Sequence, residues 1–101
     1  MPMYNPPHPG EFIKETYLDP FVVSQNKIAD ELDVARSTFS RLVRGDSDVS
    51  PDMAIRLSKV LGRTPESWLA LQAAYNLFFV KKNGNWKRLK AFSFHTLELS
   101  P

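Results

Sequence analysis

Cysteine is absent from this chain of 101 residues, and histidine is scarce. Without cysteine the chain can form neither a disulfide framework nor a thiolate metal site, which fits a reducing compartment. The two histidines, His8 and His95, lie near opposite ends of the sequence, and neither has a cluster of carboxylates beside it. We therefore expect no metal site and no cofactor. The candidate ligands are not clustered in the sequence, so only folding could bring them together.

Long apolar runs are also missing from the sequence. No segment approaches the roughly 20 apolar residues that span a bilayer, and the start, MPMYNPPHPG, lacks the basic and apolar blocks of a signal peptide. We expect a cytoplasmic protein without a membrane partner. A chain of this length forms one core and has little room for a deep catalytic cleft, so we do not expect an enzyme.

The segment from Ser24 to Gly45 contains two short amphipathic patterns joined by a tight turn. Two crossed helices can gather its apolar residues into one core. Ser24 is a good N-cap for the first helix, and Asp33 falls at the bend, where it can adopt a left-handed backbone. The pattern predicts a helix-turn-helix, whose second helix enters the major groove of DNA. The expected core residues are Ile28, Ala29, Leu32, Val34, Phe39 and Leu42.

The second helix of this unit presents basic and hydroxyl side chains, with no acidic residue between Arg36 and Arg44. Arginine bonds bidentately to guanine, while serine and threonine reach either bases or phosphates. The alternative is an ordinary solvated helix face. The helix cap, the spacing of the bend and the basic second helix all indicate a helix-turn-helix and disfavour this alternative. We predict base contacts from Arg36, Ser37, Ser40 and Arg41, and phosphate contacts from Gln25, Thr38 and Arg44.

Helices are also predicted on both sides of this unit. Prolines hold residues 1–9 in an extended, mobile arm. A first helix then runs from Pro9 to Leu18, and two more begin after the caps Ser50 and Thr64, each of which precedes a proline. The predicted fold is all-α with five helices. Its predicted parts are the arm (1–9), a helix-turn-helix domain (10–79) and a basic aromatic tail (80–101).

The fifth helix, expected to reach about Phe78, is apolar on more than one side. A domain this small cannot easily bury so much apolar surface alone. We therefore predict a homodimer whose interface includes Trp68, Leu71 and Tyr75. An internal core role for Trp68 and Tyr75 is an equally consistent alternative, because aromatic residues at helical spacing usually belong to a core.

The tail combines positive charge with aromatic residues. Residues 81–101 contain five lysines or arginines against Glu98 alone, whereas the rest of the chain is slightly acidic. Asn83-Gly84 is a favoured two-residue turn between aromatic segments, which predicts a short β-hairpin. With Trp86, Phe92 and Phe94, the basic residues indicate either a nucleic-acid or protein contact, or a solvated charged face over a small core.

Three further segments carry a family resemblance: HPGEFI (8–13), SPDMAIRLSKVLGRTPESWLALQ (50–72) and AAYNL (73–77). With the helix-turn-helix, they resemble the HigA- or VapI-type antitoxins of bacterial toxin–antitoxin modules. Generic Cro-like and phage-repressor-like domains share the helix-turn-helix pattern but usually lack WLALQAAYNL. The resemblance implies a Cro-like fold and an antitoxin that binds operator DNA as a homodimer, represses its own operon and neutralises a small, basic, mRNA-cleaving toxin.

Three alternatives remain open on the sequence. The chain could be a stand-alone repressor without a toxin, or an interaction module that has lost DNA binding. A small nuclease using His95 with Lys90 and Glu98 is the weakest alternative, because nothing in their spacing requires these groups to converge on a pocket.

Overall fold

The computed structural model describes residues 5–94, and this range contains five helices and no β-strand. The first helix begins as α1 (Pro9–Ile13) and continues as a π-helical segment (Lys14–Leu18). The all-α, five-helix prediction is confirmed. Among residues 5–94, none of the helices could span a bilayer. The remaining helices are α2 (Gln25–Leu32), α3 (Arg36–Val43), α4 (Pro51–Val60) and α5 (Pro65–Asn83).

Local sequence signals fix where three of the helices begin. The hydroxyl oxygens of Ser24, Ser50 and Thr64 each accept a hydrogen bond from the backbone amide three residues later, at 3.0–3.1 Å. These bonds satisfy amides that have no partner inside the helix. Pro51 and Pro65 occupy first-turn positions, where a missing N–H costs nothing. The predicted caps of α2, α4 and α5 are confirmed.

A single hydrophobic core connects the helices. Helix α3 packs against α1 and α2, while α4 packs against α2 and α5. Trp68 of α5 is fully buried, and its indole N–H donates a hydrogen bond to the carbonyl oxygen of Gly62 at 2.8 Å. The core therefore orients α3 from several sides at once. Its largest fully buried side chains are Trp68, Phe39, Ile13, Leu32, Leu42 and Leu57.

The described part of the N-terminal arm is packed against the domain, so the expectation of a mobile arm is wrong for residues 5–8. Pro6 and His8 are buried. His8 Nδ1 accepts a hydrogen bond from the amide of Gly10 at 2.9 Å and thereby caps α1. The His8 ring also meets the ring of Tyr75 edge to face, with centroids 4.9 Å apart. These contacts hold the backbone of residues 6–8, which the prolines already restrict. Residues 1–4 lie outside the described range.

The predicted β-hairpin at Asn83-Gly84 is wrong for the described part of the tail. Helix α5 continues through Asn83, and the amide of Gly84 donates to the carbonyl oxygen of Val80 at 3.0 Å. The Tyr75 and Phe79 rings pack one helical turn apart in a tilted arrangement, with centroids at 4.8 Å, which favours continuation of the helix. Gly84 follows the helix with an extended backbone, φ −94° and ψ 165°, whereas the predicted two-residue turn needs a positive φ. The predicted division between residues 79 and 80 therefore falls inside α5.

At Gly10, α1 lies directly against the backbone of α3. A Cβ atom at this position would overlap the carbonyl group of Leu42 and lie 2.8 Å from the carbonyl oxygen of Val43. Gly10→Ala must separate the two helices, so we expect it to lower the free energy of unfolding by about 1–3 kcal/mol. The melting temperature should fall by at least about 4 °C.

The exposed Glu15, in the same first helix, provides a control. Glu15→Ala should change the free energy of unfolding by less than about 0.5 kcal/mol. If Gly10→Ala melts at the temperature of the unmodified protein, the close approach of α1 and α3 is contradicted.

Candidate nucleic-acid interface

The predicted helix-turn-helix is formed by α2 and α3. Four of its six predicted core residues are buried where the helices pack together: Ala29, Leu32, Phe39 and Leu42. The other two, Ile28 and Val34, are partly buried against the same core. Asp33 ends α2 in the left-handed conformation, with φ 58° and ψ 45°, as the sequence predicted. Apolar side chains buried before and after this turn therefore stabilise the crossed arrangement of α2 and α3.

Arg56 of α4 holds the end of α2 in place. Its Nη1 donates hydrogen bonds to the carbonyl oxygens of Leu32, at 2.9 Å, and Asp33, at 3.1 Å. The carbonyl oxygens of the last helical turn have no N–H partner within the helix. Arg56 Nε donates to Asp52 Oδ1 at 2.6 Å, which orients the guanidinium group. The sequence does not indicate this role, because Asp52 and Arg56 alone predict only an exposed pair on one helix face.

Helix α3 turns its apolar side into the core and leaves the predicted contact residues outside. Arg36, Ser37, Thr38 and Arg41 are exposed, whereas Ser40 is half-buried. The residue before α3 is Ala35, which supplies no side-chain cap. The first amides of α3 therefore remain available to an external acceptor, and a phosphate oxygen suits this position because the helix dipole is positive there.

Arg36 is paired with an acidic residue of α2. Its Nη2 and Nε donate to the two carboxylate oxygens of Asp30, at 2.7 and 3.1 Å. The hydrogen bond from Arg36 holds the pKa of the Asp30 carboxyl below its ordinary value. Asp30 therefore stays ionised at neutral pH and orients the Arg36 guanidinium across the gap between the helices. The structure places Arg36 at the start of α3, but with part of its donor capacity already occupied.

The two remaining arginines of α3 differ in their surroundings. Arg44 Nε donates to Asp46 Oδ2 at 3.0 Å, and its Nη1 donates to Ser40 Oγ at 3.3 Å. Arg41 is exposed, and its side chain makes no hydrogen bond or ion pair with any residue in the range 5–94. Arg41 therefore has the most freely available guanidinium group on the outer face of α3.

The other predicted phosphate contacts, Gln25 and Thr38, belong to α2 and α3 respectively. Gln25 is the first residue of α2 and is half-buried. Thr38 is exposed and borders a cleft of about 250 Å³ between α3 and α4, which is also lined by Ser50 and Arg56. Gln25 and Thr38 thus belong to different helices, and the cleft beside Thr38 does not include Gln25.

Comparisons with known proteins identify the family. Residues 23–69 match the helix-turn-helix model HTH_3. The chain is 42% identical over 90 residues to an uncharacterized HTH-type transcriptional regulator, YddM of Escherichia coli K12, covering 89% of this chain and 95% of that protein. Antitoxin GraA superposes with a TM-score of 0.81 at 33% identity, covering 89% of this chain and 100% of the other.

A further solved structure is Pseudomonas aeruginosa antitoxin HigA with the higBA promoter. It superposes with a TM-score of 0.75 at 31% identity, covering 87% of this chain and 97% of the other. This chain belongs to the HigA-type family of helix-turn-helix antitoxins. The resemblance drawn from residues 8–77 is thereby confirmed. HigA-type proteins are DNA-binding regulators, so membership also confirms that the chain is not an enzyme. His95 and Glu98, invoked for a nuclease, lie outside the described residues.

One predicted interface residue of this HigA-type chain is corrected by its burial. Trp68 is 0% exposed within a single chain, so it has no surface to offer a second copy. The sequence could not separate core from interface because α5 is apolar around much of its circumference. Leu71 and Tyr75 are only partly buried and keep accessible surface. A partner contact through these two residues remains a prediction.

Gln72 also links two parts of the fold, which the sequence does not indicate. It is buried, and its Oε1 accepts a hydrogen bond from the amide of Val49 at 2.8 Å. Its Nε2 donates to Asn76 Oδ1 at 3.1 Å. Gln72 thus ties α5 to the loop that leaves α3. No sequence signal marks a glutamine that satisfies an amide 23 residues away.

Replacing Arg56 tests whether α4 fixes the helix-turn-helix turn. Arg56→Ala leaves the carbonyls of Leu32 and Asp33 without this donor, so we expect unfolding at a lower urea concentration. Arg56→Lys keeps the charge but lacks the planar fork, and it should recover only part of the loss. Urea unfolding of both variants provides the measurement, with the exposed Lys59→Ala of the same helix as control. An unchanged urea midpoint for Arg56→Ala would contradict the carbonyl clamp, and full recovery by lysine would show that the planar fork is not needed.

Proposed function

We propose that this protein is a sequence-specific DNA-binding antitoxin that acts in the cytoplasm, represses its own operon as a homodimer and neutralises a cognate toxin. The observation that carries the DNA-binding part is the outer face of α3. Arg41 stands there with a free guanidinium group, beside exposed hydroxyl residues and the uncapped start of the helix. Such a face matches the donor requirements of base edges and phosphates in the major groove.

We assign separate tasks to the residues of this surface. Base contacts come from Arg41, with Arg36, Ser37 and Ser40, because these residues lie along the outer face of the recognition helix. Contacts with the DNA phosphates come from Gln25 at the start of α2, and from Thr38 and Arg44 within and at the end of α3. The related P. aeruginosa HigA was solved with the higBA promoter, which supports promoter DNA as the ligand.

The proposed homodimer uses the accessible side of α5. Leu71 and Tyr75 are partly buried, and Leu77 and Val80 expose more than half of their surface in the single chain. A second copy could cover these apolar side chains. Two helix-turn-helix units would then address two half-sites about one helical turn apart, as dimeric proteins of this class do.

The toxin partner is proposed from family membership. Relatives named as antitoxins, including HigA and GraA, support a protein partner that is neutralised by direct binding. We propose a small basic toxin encoded beside this protein. A neighbouring gene for such a protein, whose toxicity is suppressed by co-expression of this chain, would support the proposal. Unchanged toxicity would leave a stand-alone repressor.

Two arginine variants test the proposed division between base and backbone contacts. On DNA from upstream of its own gene, Arg41→Ala should cost about 1–3 kcal/mol of binding free energy, with little change on a scrambled duplex. Arg44→Ala should weaken binding to both duplexes alike and reduce the salt slope by about 1. Fluorescence anisotropy across a salt series provides both numbers.

Lys59→Ala is the charge-matched control, since Lys59 is exposed and lies on α4 rather than on α2 or α3. It should leave the preference for upstream DNA intact. Equal losses on both duplexes for Arg41→Ala and Arg44→Ala would refute the assigned roles. If the unmodified protein binds upstream DNA no better than the scrambled duplex, the proposal that the upstream DNA contains its operator is refuted.

A further inference from the structure

The end of α5 and the chain that follows it carry a concentrated positive charge. Five exposed cations lie between residues 81 and 90, and the sequence has no acidic residue between Glu66 and Glu98. Across residues 5–94, every ion pair lies outside this segment. The charge is therefore uncompensated and suits a polyanion. The cations are Lys81, Lys82, Lys87, Arg88 and Lys90.

Aromatic side chains are exposed within the same segment. Trp86 is 49% exposed, and Phe92 and Phe94 are more exposed still. The Trp86 indole lies directly over Gly84, since a Cβ atom on Gly84 would overlap the ring. Glycine thus allows the indole to fold back against the end of α5. One flat ring thereby lies beside the cations.

A shallow cleft of about 560 Å³ is formed at this place. It is lined by Trp86 and Gly84, by the polar side chain of Asn85, and by Lys81 and Lys87 on either side in sequence. An indole flanked by two ammonium groups offers a stacking surface for a base and positive charge for the adjoining phosphates. These are the elements with which proteins bind single strands without reading their sequence.

We propose that this segment, residues 81–94, binds single-stranded nucleic acid, with an unpaired base stacked on Trp86 and the neighbouring phosphates on Lys81 and Lys87. A duplex could use the lysines but not the indole, because its bases are already stacked on each other. The exposed rings therefore favour a single strand. The cleft shares no residue with the outer face of α3, so this activity is additional to operator binding.

The test uses the full chain and a fluorescein-labelled 15-nucleotide oligothymidylate, with oligouridylate as the RNA counterpart. Anisotropy should show salt-dependent binding, and the intrinsic tryptophan fluorescence should be quenched. That quenching reports on Trp86, because the other tryptophan, Trp68, is fully buried. Trp86→Ala should weaken binding at least about fivefold and remove most of the quenching, whereas Trp86→Phe should retain most of the affinity.

A double variant tests the phosphate contacts. Lys81→Ala with Lys87→Ala should reduce the salt slope by about 1.4, since each phosphate on a single strand contributes about 0.7. Lys14→Ala with Lys59→Ala removes the same charge from exposed positions elsewhere and should have a smaller effect. Circular dichroism checks that every variant is folded.

Three outcomes would overturn the proposal: Trp86→Ala binding as tightly as the unmodified protein, equal losses for the two lysine pairs, or equal competition by an unlabelled scrambled duplex. Arg41→Ala separates this activity from operator binding. It should impair binding to upstream DNA and leave oligothymidylate binding unchanged, so either activity can fail without the other.

Discussion

The rotational setting of α3 is the constraint on which the candidate DNA surface depends. Phe39 and Leu42 are buried between α1 and α2, and in a helix of 3.6 residues per turn their burial determines which positions face outward. Arg41 is exposed for this reason. Gly10 strengthens the constraint, because it lets α1 approach the α3 backbone too closely for any side chain. The chemistry of the surface therefore follows from the packing behind it.

A second set of contacts fixes α3 relative to the rest of the chain. Arg56 holds the turn before α3 from α4, and Gln72 holds the loop after α3 from α5. His8 caps α1 and packs on Tyr75, which joins the N-terminal arm to α5. Each contact satisfies a backbone group or buries a ring. Helix α3 is thus restrained at both ends by residues that lie outside the helix-turn-helix.

Features set by neighbouring residues could be predicted from the sequence, whereas features set by distant residues could not. The cap at Ser24 and the left-handed turn at Asp33 depend on a few adjacent residues, and both were predicted. The carbonyl clamp by Arg56 and the burial of Trp68 depend on how helices pack, which no local pattern reveals. Asn83-Gly84 shows a different limit, because a dipeptide that favours a hairpin turn can also lie at the end of a helix that neighbouring packing prolongs.

The measurement that tests the central claim most directly is an NMR titration of the ¹⁵N-labelled protein with a duplex from upstream of its own gene. If α3 reads the DNA, the largest amide shifts should fall on residues 36–44 and on Gln25, with smaller changes in α4. Shifts concentrated on α5, with α3 unchanged, would contradict the account and place DNA binding on another surface.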